Sequence, residues 1–341
     1  MKTDKPEIVK TFKLSSPKHK VADLCYLQGA QCSGCTVSFA NFADPDLIEI
    51  FRTCLEKPVP TWDIGLPYFY PTLMPTAGEQ ALAVIDAWKK AKLRVLVVEG
   101  AIPRRGYCEV AGRPFEDVVA ETAEYADVII AYGTCAAYGG MTSATPNPSG
   151  GRGVKEFLSE RHINKRIINL PGCPAHPDWL VLTMAAVLEG KSPSLDKYGR
   201  PRNLYGRDLH ENECPRRGYY EAEEFAESFG VKECLFKLGC RGSTTKADCP
   251  ARLWNNTTFC VNAGGPCIGC THPGFPDQMT PFYVEKEIKP EVEPLLRRSL
   301  RYLSDLPSNL LNKAKTGLSV LGPVVFVIRS ILKDLSGKEE K

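Results

Sequence analysis

Short apolar runs alternate with longer helical patterns through the first half of the chain, and this alternation restricts the fold more than any other feature. Buried strands separated by helices are typical of a parallel sheet that helices cover on both faces. The chain is therefore predicted to be α/β. Strands are expected at residues 21–27, 93–98, 127–132 and 166–170, and helices at 78–92, 115–125, 154–162 and 178–189.

Cysteine is the compositional outlier, with 14 in 341 residues. That number is too sparse for a small disulfide scaffold and too high for incidental core residues. Residues 1–20 are polar and lysine-rich, with neither an apolar leader nor a twin arginine, so we expect a cytoplasmic protein. Because the cytosol keeps thiols reduced, metal ligation is favoured over disulfide formation.

Three predicted strands are each followed by cysteines. Cys32 and Cys35 follow the first strand, Cys135 follows the third and Cys173 the fourth. The loops at the carboxyl ends of parallel strands line one crevice, so four thiols from three loops are expected to converge. Four convergent thiolates indicate zinc or an iron–sulfur cluster.

The second half is loop-rich, and a Gly-, Pro- and Arg-rich boundary is expected at residues 200–207. A segment with so little apolar core would need bound metal for stability. Spacing alone leaves zinc and iron–sulfur clusters both open, although the paired C-x2-C knuckles of a zinc ribbon are absent. The soft ligands divide into two sets of four: His210, Cys214, Cys234, Cys240, Cys249, Cys260, Cys267 and Cys270.

From Pro290 onward the pattern is helical and free of cysteine. Its most apolar window, residues 317–328, is too short to cross a bilayer core, which needs about 20 apolar residues. We expect an amphipathic helix that packs on this protein or on a partner; a peripheral membrane contact is the alternative. The formal charge of +3 is too small to indicate nucleic acid as a main partner.

Several motifs together resemble one known family. The segments CSGCTVSF, VVEGAIP, GTCAAYGG, LPGCPAHPDWLV, CLFKLGCRG and GGPCIGCTHPGFPD occur between residues 23 and 277. They are similar, in sequence and in order, to the small subunit of nickel–iron hydrogenases. The resemblance implies a polar tail (1–20), a flavodoxin-like domain (21–199), a second iron–sulfur domain (200–285) and a helical extension (286–341).

The resemblance also implies three clusters and their ligands. A proximal 4Fe–4S cluster would be held in the flavodoxin-like domain, and medial and distal clusters in the second domain. The nickel–iron site would lie in a separate large subunit, so no catalytic residue is expected in this chain. The implied ligands are Cys32, Cys35, Cys135 and Cys173 (proximal), Cys249, Cys260, Cys267 and Cys270 (medial), and His210, Cys214, Cys234 and Cys240 (distal).

The chain departs from the family pattern in three places. Many members have proline where this chain has Cys260, and their medial cluster is 3Fe–4S. Here the fourth thiol predicts a 4Fe–4S medial cluster. The alternative is a 3Fe–4S cluster that is bound by three cysteines. In the segment HENEC, the distance in sequence from His210 to Cys214 is one residue longer than is usual in the family. Glu213 is therefore an alternative to His210 as the distal ligand. Gly34 and Gly140 stand where oxygen-tolerant relatives carry additional cysteines, so no modified proximal cluster is indicated.

The functional prediction is an electron-relay subunit that takes electrons from hydrogen oxidation, or delivers them to hydrogen formation. Its partners would be the large subunit and an external redox protein (a cytochrome, a ferredoxin or a quinone-linked protein), in the cytoplasm or on the cytoplasmic membrane face. The alternatives are the iron–sulfur subunit of a quinone-linked complex and a zinc-stabilised structural protein. Glu99 is expected to border the proximal crevice, and Cys25 to belong to the core.

Overall fold

The computed structural model describes residues 23–42, 69–74, 76–210, 214–254 and 256–284. Within these ranges the chain forms two compact units: residues up to Cys214 together with Gly239–Val284, and the segment Pro215–Leu238. The predicted domain boundaries stay a prediction. The polar tail, Cys54, Glu213 and the helical extension with its apolar window lie outside the described residues.

The first unit contains six short strands and most of the helices described. Its elements in chain order are β1 (Asp23–Gln28), α1 (Gly34–Ala40), α2 (Gly78–Trp88), β2 (Arg94–Glu99), β3 (Glu109–Val110), β4 (Arg113–Pro114), α3 (Phe115–Tyr125), β5 (Val128–Tyr132), α4 (Thr134–Tyr138), a 3₁₀ turn (Gly140–Ser143), α5 (Val154–Glu160), β6 (Ile167–Leu170), α6 (Pro177–Leu188) and α7 (Arg202–Tyr205). The second unit carries α8 (Arg217–Glu221), and α9 (Cys249–Arg252) returns to the first.

The main sheet is parallel, with the order β1-β2-β5-β6. Beyond β1, Phe69 forms a parallel bridge with Cys25, and the Tyr26 amide donates to the Phe69 carbonyl at 2.7 Å. With this segment counted as a strand, the order is that of flavodoxin-like proteins, whose ligand crevice lies where the connections change direction. The crevice here lies between the carboxyl ends of β1 and β2, and the α/β prediction is confirmed.

Alternate side chains along the strands pack on opposite faces of the sheet. One face, which includes Cys25, Leu96 and Ile129, packs with apolar residues of α2, α3 and α5. On the other face, the Tyr132 hydroxyl donates at 3.3 Å to the carbonyl of Ala175, which lies two residues before α6. Cys25 is fully buried in a strand, as its core assignment predicted.

Four predicted strands and four predicted helices are confirmed, with differences at their ends. The largest difference is at α2, which ends at Trp88 although the apolar spacing continues to residue 92. The Asp23 carboxylate accepts hydrogen bonds from the backbone of Lys92 and Leu93, at 3.1 and 3.0 Å. These contacts lead the backbone into β2, so the helix cannot continue. In the described part of the second half, regular structure is limited to short helices, and no described helix is long and apolar enough to cross a membrane.

Candidate metal centres

The proximal candidate thiols lie at the carboxyl edge of the main sheet. Cys32 follows β1 in the loop before α1, and Cys35 lies in the first turn of that helix. Cys135 lies in α4 directly after β5, and Cys173 lies in the loop after β6. Three loops at one sheet edge therefore carry the four residues that the sequence predicted as one ligand set.

The proximal candidate thiols influence one another's protonation. Burial raises the pKa of Cys35 well above its usual range, and the charges of Cys135 and Cys173 raise it further. Burial also raises the pKa of Cys173 to about 11, with Cys135 and Cys32 adding to the shift. Thiols in such a group stay protonated without a cation, whereas a metal deprotonates a coordinating thiol outright. The donor set fits a cationic iron–sulfur core.

Two glycines leave room for the proximal thiols. Gly133 has a φ of +93°, and a Cβ at that position would lie 2.5 Å from the Cys35 Sγ. Gly140 has a φ of +53°, and its Cβ would lie 2.9 Å from the Cys135 Sγ. Only a residue without a side chain permits both the backbone turn and the approach of the sulfur atoms. The loops are therefore shaped around the thiols.

Glu99, at the end of β2, borders the same crevice and is 2 % exposed. Its carboxylate accepts hydrogen bonds from the Tyr26 hydroxyl at 2.8 Å and from the Thr36 amide at 3.0 Å, and the Thr36 hydroxyl also donates to it. Thr36 is the neighbour of Cys35 in α1. The structure therefore confirms the position of Glu99 at the crevice and gives it a structural task, which is to hold the first turn of α1.

The medial candidate thiols belong to the first unit and also influence one another. Burial raises the pKa of Cys249 well above its usual range, and the charges of Cys270, Cys267 and Cys260 contribute to the shift. Burial raises the pKa of Cys270 to about 12, and Cys260 is again among the causes. The charge of Cys260 thus acts on Cys249 and Cys270, although the residue is exposed as a whole, and its place among the ligands stays a prediction.

Contacts between cysteines also connect one candidate set with the next. The charge of Cys173, which belongs to the proximal set, contributes to the raised pKa of Cys270. The Thr134 hydroxyl donates to the Cys270 carbonyl and accepts from the Gly172 amide at 2.8 Å. On the other side of the medial set, the Cys267 amide donates to the Cys240 Sγ at 3.3 Å. The medial thiols therefore lie between the proximal set and a cysteine of the distal set.

The distal candidates are divided between the two units. A Cβ on Gly242 would lie 3.5 Å from the Cys240 Sγ and 3.8 Å from the His210 ring, so the structure brings these two side chains together. Cys214 is buried in the first unit and Cys234 in the second. In the second unit, the Cys234 amide donates to the Glu224 carbonyl at 3.0 Å. The complete four-residue set stays a prediction.

Two histidines outside the ligand sets form hydrogen bonds in the structure. The His176 Nδ1 accepts the Asp178 amide at 3.1 Å and caps α6, while Nε2 lies 3.0 Å from the Leu253 carbonyl. The His272 Nδ1 accepts the Gly274 amide at 3.0 Å. In the described part of the chain, no group of three or more His, Cys, Asp or Glu side chains has the spacing for a single metal ion.

Some residues that shape the site carried no sequence signal. Tyr26 stacks on Tyr70 with ring centroids 4.1 Å apart, and both lie beside Glu99. The buried pair of Asp248 and Arg252 joins the start of α9 to its end, and Asp248 also accepts the Trp179 indole at 2.7 Å. Tyr26 and Tyr70 are distant in sequence, as are Trp179 and Asp248, so no local spacing could have indicated these two contacts.

Comparisons with known proteins agree with this geometry. Residues 205–283 match the family model that describes the C-terminal part of the NiFe/NiFeSe hydrogenase small subunit. Residues 32–187 match the model of the NADH ubiquinone oxidoreductase 20 kDa subunit. The two parts of the chain therefore match subunits of two kinds of redox protein.

Relatives and a solved structure identify the family. The chain is 37 % identical over 324 residues to the F420 non-reducing hydrogenase II small subunit of Methanosarcina mazei, covering 84 % of this chain and 80 % of that protein. It is 39 % identical to the periplasmic [NiFeSe] hydrogenase small subunit of Desulfomicrobium baculatum, over 78 % of this chain and 88 % of the relative. A structure of the D. baculatum [NiFeSe] hydrogenase superposes with a TM-score of 0.70 at 37 % identity, covering 78 % of this chain and all of the matched one. The chain therefore belongs to the family of nickel–iron hydrogenase small subunits.

Proposed function

We propose that this chain carries electrons between a nickel–iron site in a partner large subunit and an external redox partner. The observation that supports the relay is that hydrogen bonds connect each candidate set to the next: Thr134 joins Gly172, beside Cys173, to the Cys270 carbonyl, and the Cys267 amide donates to the Cys240 Sγ. Iron–sulfur clusters held by these sets would supply reversible one-electron storage. The residues of this chain would hold the clusters, exclude water and set their potentials.

The proposed ligand sets are those that the sequence predicted. Cys32, Cys35, Cys135 and Cys173 would hold the proximal cluster. The medial set consists of Cys249, Cys260, Cys267 and Cys270, and the distal set of His210, Cys214, Cys234 and Cys240. A neutral imidazole ligand gives a cluster site less negative charge than a fourth thiolate does. Hydrogen bonds to sulfur, such as the one from Ala175 to Cys35 at 3.5 Å, stabilise the more negative reduced state.

The quinone-linked alternative is supported by the match of residues 32–187 alone. The separate match of residues 205–283 to hydrogenase small subunits favours the hydrogenase assignment, because that match covers all of the medial and distal candidates. The zinc-stabilised alternative predicts a protein without acid-labile sulfide.

The deciding measurement is the iron, zinc and sulfide content of the anaerobically purified complex, together with low-temperature EPR. Iron that belongs to a co-purified large subunit is subtracted. We expect about twelve iron and about twelve sulfide per chain, without the signal of an oxidised 3Fe–4S centre. About eleven iron with that signal would keep the relay and remove Cys260 from the ligands. Zinc without sulfide would overturn the proposal.

We further propose that the complex functions in the cytoplasm or at the cytoplasmic membrane face. The support is the cysteine content, because a reducing compartment keeps so many thiols available to metal. Fractionation of intact cells tests the location, and recovery of the complex from the periplasm would contradict it. A variant that lacks residues 291–341 tests docking through the C-terminal extension; unchanged association with membranes and partners would refute that role.

A further inference from the structure

A cavity of about 440 Å³ in the first unit lies outside the three ligand sets. It is formed by the loop before α7, by the start of that helix and by two stretches of the cysteine-rich segment. Its volume is within the range of about 300–1,000 Å³ that is typical of small-molecule sites. The charged and polar residues that line it include Asp196, Lys197, Arg200, Arg202, Lys246 and His272.

The lining is strongly cationic. Arg200 forms an ion pair with Asp196 at 2.8 Å, so these two charges compensate each other. Lys197, Arg202 and Lys246 form no ion pair with any carboxylate of the described residues. Lys246 has only a 3.4 Å contact with the Gly206 carbonyl, and Arg202 donates to the Leu195 carbonyl at 3.1 Å. The cavity therefore has about three positive charges that lack a described counter-charge.

Hydrogen-bond donors complete the lining. Because His272 Nδ1 accepts the Gly274 amide, the neutral ring carries its proton on Nε2 and can donate from there. The guanidinium of Arg202 uses its Nε on the Leu195 carbonyl and has further N–H groups. Cations and N–H donors around one concavity are the groups that recognise phosphate oxygens.

We propose that this cavity binds a small polyanion of the diphosphate or phosphate-ester class. A polyanion provides negative charges that can pair with Lys197, Lys246 and Arg202, and its size suits the cavity. An acidic protein surface suits it less well, because a concavity of this volume is filled by a small ligand rather than by a flat interface.

The cavity adjoins the medial candidate thiols. The Arg200 guanidinium donates to the Thr271 carbonyl at 3.2 Å, and the Thr271 hydroxyl donates to the Lys246 carbonyl at 2.9 Å. Thr271 directly follows Cys270 in the chain. A bound polyanion would therefore place negative charge beside the medial set and make the addition of an electron there less favourable. This consequence, unlike the binding itself, rests on the proposed function.

Isothermal titration of the purified complex with inorganic pyrophosphate tests the site. We expect one saturable site per chain that weakens as ionic strength rises. The double variant Lys197→Gln/Lys246→Gln should bind at least about tenfold more weakly, because it removes two of the three unpaired charges. The matched double variant Lys90→Gln/Lys155→Gln removes two exposed lysines that do not line the cavity, and it should bind as the unchanged protein does.

Two results would overturn the proposal: no saturable binding of pyrophosphate, or equal weakening in the two double variants. Binding of an acidic carrier protein that depends on Lys197 and Lys246, without binding of pyrophosphate, would also overturn it in favour of a protein interface. Redox titration followed by EPR distinguishes binding of the polyanion in the cavity from its expected effect on the medial cluster. Pyrophosphate binding with no change in any cluster potential would support the site and count against the medial assignment of Cys267 and Cys270.

Discussion

At the scale of single residues, the candidate centres depend on side chains whose partners are buried and specific. Burial raises the pKa of Cys260, and the charge of its thiol contributes to the raised pKa of Cys249 and Cys270. Glu99 is a buried carboxylate whose hydrogen bonds reach the backbone beside Cys35. Removing one partner from such a group leaves the other without compensation, and a buried unsatisfied group costs about 1–3 kcal/mol.

Replacement of Cys260 by alanine tests the fourth medial ligand. If Cys260 binds iron, the Cys260→Ala complex should contain about one iron fewer per chain and show the EPR signal of an oxidised 3Fe–4S centre. Cys108→Ala is the control, since Cys108 is a thiol outside every ligand set and should leave the iron content unchanged. Unchanged iron and spectra in Cys260→Ala would mean that Cys260 is a free thiol.

The substitution Glu99→Gln tests the support of α1. An amide offers one acceptor oxygen and places an NH₂ group among donors, so the hydrogen bonds from Tyr26 and Thr36 cannot all be kept. We expect thermal unfolding of the complex to begin about 3–10 °C lower, which corresponds to a loss of about 1–3 kcal/mol. The EPR-derived potential of the proximal cluster should also shift. Glu109→Gln, at an exposed position, should change neither property.

At the scale of elements, the strand-to-helix turns determine where the thiols lie. The turn between β5 and α4 is the most constrained of these, because Gly133 combines a φ of +93° with a 2.5 Å approach of its Cβ position to the Cys35 Sγ. A side chain there would strain the backbone and also displace a proposed ligand. The backbone strain and the displacement of the ligand can be separated, since other glycines of this chain have a positive φ without a close neighbour at the Cβ position.

The pair of substitutions Gly133→Ala and Gly106→Ala makes this separation. Gly106 has a φ of +87°, but nothing lies within 4 Å of its Cβ position, so its substitution adds backbone strain alone. We expect Gly106→Ala to lower stability by about 1 kcal/mol and to keep all iron. Gly133→Ala should lose about four iron per chain, as counted by metal analysis. Equal iron in the two variants would show that the close approach to Cys35 is unimportant.

At the scale of the whole molecule, contacts within the first unit attach the cysteine-rich segment to the α/β part. His176, at the start of α6, contacts the Leu253 carbonyl through Nε2, and Trp179 of the same helix donates to Asp248. Burial lowers the pKa of His176 from its usual value of 6.5. The neutral ring is therefore the form that the folded protein accommodates.

This lowered pKa predicts a pH-dependent stability. The buried neutral imidazole contributes its full share to the free energy of unfolding at pH values above its unfolded pKa. That free energy decreases as the pH falls below about 6.5, because unfolding then takes up a proton. The unfolding midpoint of the complex should fall by several degrees between pH 7.5 and pH 5.5. In His176→Asn, which keeps a capping acceptor but does not titrate, calorimetry should show a smaller fall. Equal falls in the two proteins would exclude His176 as the titrating group.

The sequence by itself determined four strands and four helices of the α/β part, the cysteine candidates and the family resemblance. The pattern of residues 115–125 predicted α3 at the bounds that the structure shows, because helical periodicity is a local property. Loops at the carboxyl ends of parallel strands lie at one edge of the sheet, so the sequence also predicted that edge as the position of Cys32, Cys35, Cys135 and Cys173. Ligation of iron by these residues and the location in the cell stay predictions.

Only the tertiary structure decided what surrounds those candidates. The early end of α2 follows from the Asp23 carboxylate, which lies far from Lys92 in sequence. The hydrogen bonds of Glu99 to Tyr26 and Thr36, the contact of Cys267 with Cys240, and the cationic cavity likewise join residues from separate parts of the chain. Local spacing specifies helices, strands and turns, whereas side chains distant in sequence become neighbours only when the chain packs, and packing fixes which charges are paired and which stay open to a ligand.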